Sequence, residues 1–267
     1  MDGTLIGNAT PLDCLQTLLA QINMMEGRRI FDDTTPERMK TALANGLARP
    51  GFASFYAQVM ASNEHAEFFV YTAAEADWTA MVIGAFEEVV GVAFNRPIFS
   101  RKYCNTYKGV TTKRIDLILP VIHDRLRVKY AACTKETIQE NMMVIDDTPG
   151  MFAENPGTNV IVCPAYRYTH HVDYAGELTP QLLCRYYRDI AECVERSGCF
   201  VPLPPFSGVS GDLVRVLRDH YSLSCALEED NKRDTFWHDF ERLYEMTGNA
   251  KKITHETLVL WLSVLCK

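Results

Sequence analysis

Met1-Asp2-Gly3-Thr4-Leu5-Ile6 opens the chain, and its reading decides the fold. An Asp-Gly-Thr that runs into apolar residues is the closing half of an Asp-x-Asp-Gly-Thr pattern, which follows a buried strand. Met1 stands at x, so the first aspartate of that pattern falls one residue before Met1. Three stretches further along carry residues suited to serve such an aspartate, and they set the order in which the rest is read.

The bulk properties narrow the field first. At 267 residues, with 47% hydrophobic and 23% charged, the chain can bury the core of one large α/β domain or of a domain with an appendage. A formal net charge of -7 argues against direct nucleic-acid binding, which needs a basic face to neutralise phosphates. No apolar run reaches the roughly 18 residues of a membrane span. Asp2 and Asp13 interrupt any signal-peptide core. The nine cysteines are scattered and form no Cys-x-x-Cys pair, which disfavours zinc and fits a reducing intracellular compartment: cytoplasm or nucleus first, mitochondrion next.

Helical and strand patterns alternate along the chain. Thr10-Pro11 and Thr35-Pro36 read as helix starts, so residues 8–47 form a helical insertion that ends at Gly46. A helix carries Phe52, Phe55 and Val59, and another carries Trp78 to Val89. Residues 66–72, 142–147 and 159–163 are short apolar runs of buried-strand character, with 97–101 a brief strand candidate. Lys102, Lys108 and Lys113 fall in a polar loop, and 115–122 is apolar and ambiguous between strand and helix, with Pro120 weakening either reading. Apolar runs separated by helices predict a parallel sheet covered on both faces. Beyond the Pro-rich linker at 202–205, helical patterns around Leu213–Tyr221, Phe236–Tyr244 and Leu258–Leu265 form an extension. Trp237, Phe240, Tyr244 and Trp261 read there as helix-packing residues.

In such sheets ligands gather at the carboxyl ends of the strands. Asp2, Thr72, Asp146 and Asp147 end or closely follow apolar runs, and the loop of Lys113 can reach the same edge. Carboxylates bind a hard cation such as Mg²⁺, while lysine and hydroxyl neutralise and position phosphoryl oxygens. The chemistry implied is phosphoryl transfer.

Taken in order, these pieces resemble the haloacid-dehalogenase (HAD) superfamily, in the branch of the small C-terminal-domain phosphatases of RNA polymerase II and their relatives. The resemblance covers about residues 1–195. It is carried by Asp2-Gly3-Thr4-Leu5, Arg49-Pro50 leading to Phe55, Phe69-Val70-Tyr71-Thr72-Ala73-Ala74, Cys104 through Gly109 to Lys113, and Val144-Ile145-Asp146-Asp147-Thr148-Pro149. It implies a HAD-like domain over 1–205 with its helical insertion at about 8–47, and a C-terminal helical extension at 206–267. It implies Asp2 as general acid and base, Thr72 as the hydroxyl on the phosphoryl group, and Lys113 as the steadying cation. Asp146 and Asp147, with Asp2, are implied to hold Mg²⁺.

The family's nucleophile, which forms an aspartyl-phosphate, has no counterpart among these residues. The chain reads as N-terminally truncated before it, and is expected to be inactive or very weak without the upstream residue. A parallel sheet without the strand that precedes it would have a gap in its core and unpaired backbone groups. Three functions stay open. The first is a phosphoserine or phosphothreonine protein phosphatase. The second is a non-catalytic binding subunit with a protein partner. The third is a small-molecule phosphatase whose insertion acts as a cap.

Overall fold

The hydrophobic pattern places the elements, and tertiary contacts decide which of them pair. The computed structural model describes residues 1–7, 35–152, 159–166 and 231–246. The expected helices over 10–27, 179–194, 213–221 and 258–265 lie outside these residues. The chain divides into two compact units. One comprises Met1–Gly7, Met39–Tyr166 and Asp234–Lys267; the other comprises Asn8–Arg38 and Arg167–Arg233.

Helix α1 (Pro36–Ala42) runs into a π-helical turn at Leu43–Leu47, which breaks where Gly46 takes φ +103. This is the stop that Gly46 predicts. Helix α2 (Phe52–Ser62) buries Phe52, Phe55 and Val59, the apolar side read from the sequence. Helix α3 (Ala76–Val90) ends at a left-handed Gly91 and buries Val82, Ile83 and Phe86.

The polar loop is instead a hairpin. Strand β1 (Cys104–Tyr107) pairs antiparallel with β2 (Val110–Lys113), through a turn in which Lys108 and Gly109 both have positive φ (48 and 79). Positive φ at both central positions is the type I′ turn, whose twist suits a two-residue hairpin. Its consequence is placement: β2 ends on Lys113, which is 4% exposed.

Residues 115–122 prove helical, as part of α4 (Ile115–Lys129) with Pro120 inside it. The proline deprives only the carbonyl of Asp116 of its intrahelical partner, and that residue is exposed in the first turn. Helix α5 (Lys135–Asn141) has no strong periodic signal. Thr134 caps it, its hydroxyl accepting from Thr137 N–H at 3.1 Å.

Strand β3 (Met143–Asp146) pairs in parallel with β4 (Asn159–Val162), Asp146 opposite Val162. Residues 66–72 are extended but make only an isolated parallel bridge, Tyr71 to Phe99. Phe99 N–H donates to Val70 O at 2.9 Å, and Thr72 N–H to Phe99 O at 2.8 Å. The described residues thus build an α/β arrangement with one two-stranded parallel and one two-stranded antiparallel sheet. The larger parallel sheet is not assembled from them.

Bonding in a parallel ladder alternates between the two sides of a strand. With Val70 and Thr72 turned to Phe99, the backbones of Phe69 and Tyr71 face the opposite edge. Because Cys163 N–H donates to Asp146 O at 2.9 Å, those of Met143 and Ile145 likewise face away from β4. A cavity of about 1250 Å³ is lined by residues of both edges (Phe69, Tyr71, Val144, Ile145) and by Phe55 and Ile118.

Two apolar clusters surround it. Phe99, Ile115, Ile118, Ile122, Ile138 and Phe152 form one. Aromatic rings form the other: helix α6 (Phe236–Met246), placed by its sequence in the C-terminal extension, packs on α2 within the first unit. Trp237 stacks on Phe55 with centroids 5.2 Å apart, and Phe240 meets the same ring edge-on at 5.1 Å.

Phe86 is fully buried between Phe52 and Phe94. Phe86→Ala should cost about 3–5 kcal/mol in denaturant unfolding. Gly84 of α3 has open space where a Cβ would stand, so Gly84→Ala should stabilise by about 0.5–1 kcal/mol in the same assay.

Candidate active site

The hairpin and the parallel pair bring two opposite charges into contact below the surface. Lys113 ends β2 and Asp146 ends β3, and Nζ lies 2.5 Å from Asp146 Oδ2, each side chain 5% exposed. Asp146 Oδ1 accepts from Thr148 N–H at 2.9 Å, so both carboxylate oxygens are satisfied. The ammonium also lies 5.8 Å from the Tyr71 ring centroid and 5.6 Å from that of Phe152, in cation–π range. Burying a charge without partners is costly, and the ion pair with its rings offsets that cost here.

The opening segment lies beside this pair. Its turn is closed by Leu5 N–H donating to Met1 O at 2.9 Å, and Gly3 takes φ +74. Thr4 Oγ1 donates to Asp147 Oδ1 at 3.1 Å. Asp147 Oδ2 lies only 2.2 Å from where a Cβ on Gly3 would stand. Glycine is therefore required twice, by its backbone and by the carboxylate packed on it.

Of the five sequence-derived candidates, Lys113 and Asp146 are in direct contact, and Asp147 reaches the Asp2-Gly3-Thr4 loop through Thr4. Asp2 is half-buried, and its carboxylate hydrogen-bonds none of the other four among the described residues. Thr72 is buried, and its hydroxyl accepts from Ala74 N–H at 3.1 Å. Neighbouring Tyr71 places its ring by the Lys113 ammonium, and its hydroxyl donates to Tyr103 O at 2.6 Å. Burial pushes the Tyr71 hydroxyl and the Cys104 and Cys163 thiols up, so these groups stay protonated near neutrality.

Among the described residues no three acids, histidines or cysteines converge as a metal cluster. The expected grouping of Asp2, Asp146 and Asp147 is not pre-arranged, because Asp146 gives its oxygens to Lys113 and Thr148. The donor chemistry itself suits Mg²⁺: the carboxylates of Asp146 and Asp147 and the backbone carbonyl of Asp2 are hard oxygen donors, and Asp147 Oδ2 packs on a residue with no side chain.

The NLI interacting factor-like phosphatase family matches residues 2–194. The chain belongs to that family. Its members are HAD-type phosphatases, which is the branch that Asp2-Gly3-Thr4, Thr72, Lys113 and Asp146-Asp147 resemble. No curated protein and no solved structure matches the chain.

Three residues with structural claims on the site were not singled out as functional in the sequence: Arg49, Asp234 and Trp237. Arg49-Pro50 belongs to the resemblance, but nothing in the spacing indicates that Arg49 is 2% exposed and ion-paired to Asp234.

Two variants test this construction. Gly3→Ala should unfold at lower denaturant, losing at least the roughly 1–2 kcal/mol of a left-handed backbone, with a further loss from displaced Asp147. Lys113→Met leaves Asp146 buried and unpaired, and should cost about 3–5 kcal/mol, far more than Lys113→Met and Asp146→Leu combined cost relative to Asp146→Leu alone.

Proposed function

We propose that this chain supplies the phosphoryl-binding and proton-transfer groups of an Mg²⁺-dependent phosphomonoester hydrolase acting on phosphoserine or phosphothreonine in proteins. The observation that carries the reading is the buried Lys113–Asp146 pair beside the Asp2-Gly3-Thr4 loop, in a chain of a phosphatase family. A dianionic group needs fixed positive charge, which a water-excluded lysine and carboxylates able to hold Mg²⁺ would together supply. The fold assigned with it is the HAD-like parallel sheet over 1–205.

Lys113 holds phosphoryl oxygens by charge, and the Thr72 hydroxyl donates to one of them once it leaves Ala74 N–H. Asp2 gives a proton to the leaving oxygen and then takes one from water. Asp147, with Asp146 and Asp2, would hold Mg²⁺, which supplies charge neutralisation at the phosphoryl oxygens when bound. In the family pattern the nucleophilic carboxylate precedes Asp2 by two positions, outside residues 1–267. The protein acts within a reducing intracellular compartment, with a phosphoprotein as substrate.

A second reading is a non-catalytic HAD-fold binding subunit. It is favoured by Asp146, whose carboxylate is already neutralised by Lys113 rather than left to a metal. A small-molecule phosphatase with the 8–47 insertion as a cap is separated by substrate choice.

In its native N-terminal context, the protein should release phosphate from a phosphoserine peptide faster than from a sugar phosphate, and only with Mg²⁺. Asp2→Asn should lower kcat by about 10²–10⁴, the range of acid–base catalysis. Release unaffected by Asp2→Asn would remove Asp2 from its role, and no Mg²⁺-dependent release from any phosphomonoester would favour the binding subunit.

A further inference from the structure

The loop that carries Asp2 hangs from its carbonyl oxygens. Gly3 O accepts from Tyr166 N–H at 2.7 Å and from Arg49 Nη1 at 3.4 Å. Thr4 O accepts from the Trp237 indole Nε1–H at 3.3 Å, and Leu5 O from Arg49 N–H at 2.9 Å. Three successive carbonyls are therefore held, two of them by side chains that come from outside the segment.

Arg49 is the hub. Its Nη1 also donates to Pro164 O at 2.9 Å, while Nε and Nη2 fork onto Asp234 Oδ1 and Oδ2 at 3.1 and 2.8 Å. The guanidinium lies 4.5 Å over the Phe236 ring and 5.6 Å over that of Tyr166. Asp234 Oδ1 in turn accepts from Phe236 N–H at 3.2 Å, at the start of α6. The carboxylate that neutralises Arg49 thus also anchors the helix that presents Trp237.

Trp237 does two separable things. Its ring packs on Phe52 and Phe55, with centroids at 4.9 and 5.2 Å, which any aromatic residue would do. Its N–H reaches Thr4 O, 233 residues away along the chain, which only an indole does here. A planar fork on Arg49 is likewise specific, since a lysine offers one point charge in place of five directed donors.

We propose that Arg49, Asp234 and Trp237 form a positioning clamp, through which α6 fixes the loop of Gly3 and Thr4 and so the placement of the Asp2 carboxylate. The clamp rests on the reading of Asp2 as acid and base, and it extends that site to a helix beyond the family match at 2–194. None of the three is a catalytic residue; they act through the backbone on either side of Gly3. Small misplacements of a reacting group cost up to about 10²-fold in rate, so loosening a loop carbonyl should be felt in turnover.

The test uses the protein in its native N-terminal context, with p-nitrophenyl phosphate and Mg²⁺, and amide hydrogen exchange beside it. Trp237→Phe keeps an aromatic ring and removes the N–H. It should lower kcat about tenfold with KM unchanged and Tm within a few degrees of wild type, and speed exchange at Thr4 and Leu5 about tenfold but not at Val82 or Phe86 of α3. Arg49→Lys should act in the same direction. Tyr244→Phe, which removes the α2–α6 hydrogen bond to Ser62 and leaves the rings of Phe236 and Trp237 in place, should leave both readouts unchanged. Unchanged exchange in both clamp variants, or faster exchange with kcat unchanged, would overturn the clamp. Faster exchange in a protein whose wild type releases no phosphate would support the loop contacts and instead defeat the phosphatase reading.

Discussion

Lys113 and Asp146 meet with almost no water around them, and much of the described structure exists to bring them there. The lysine ends a hairpin strand whose turn needs two residues at positive φ. The aspartate ends a parallel strand whose carbonyl is held by Cys163. Neither charge is tenable alone at that depth, because removing an ion from water costs several kcal/mol even after the protein relaxes. The hairpin, the parallel pair and the rings of Tyr71 and Phe152 are thus coupled: displacing any of them exposes or orphans a charge.

The opening segment solves a different problem. A short loop with Gly3 at φ +74 has no ladder of its own, so the carbonyls of Gly3, Thr4 and Leu5 are satisfied from outside. Tyr166, Arg49 and Trp237 each contribute a donor. Arg49 is buried, and the carboxylate of Asp234 balances it. An ion pair of this kind contributes little net stability over an apolar replacement, but it fixes geometry, because the fork accepts one arrangement. Alongside the rigid aromatic packing of α6 on α2 lies a cavity of about 1250 Å³ bordered by two sheet edges.

Much of the local structure was legible in the sequence, since it rests on local rules. Apolar spacing located α2, α3 and β3, and Gly46 and Gly91 stop their helices for the steric reason that only glycine tolerates φ > 0 at low cost. Legibility failed where pairing or context overrode pattern. The stretch holding Lys108 was a polar loop by composition and a hairpin by its turn geometry. Residues 66–72 had strand composition, but only one bridge forms there among the described residues, because a strand requires partners as well as propensity. Pro120 weakened both the strand and the helix reading of 115–122, yet the helix continues past it.

By itself, the sequence determined the chemistry available: acids at 2, 146 and 147, a hydroxyl at 72 and a lysine at 113, in an order that matches a phosphatase family. These are matters of residue type and spacing, which survive without knowledge of the fold. Only the tertiary structure decided which of them touch. It paired Lys113 with Asp146, gave Asp2 no hydrogen bond to either among the described residues, and turned the Thr72 hydroxyl to the backbone of Ala74. It also recruited Arg49, Asp234 and Trp237 from distant stretches. The reason is that contacts between residues up to 233 positions apart are set by chain closure and packing, and no local spacing records them.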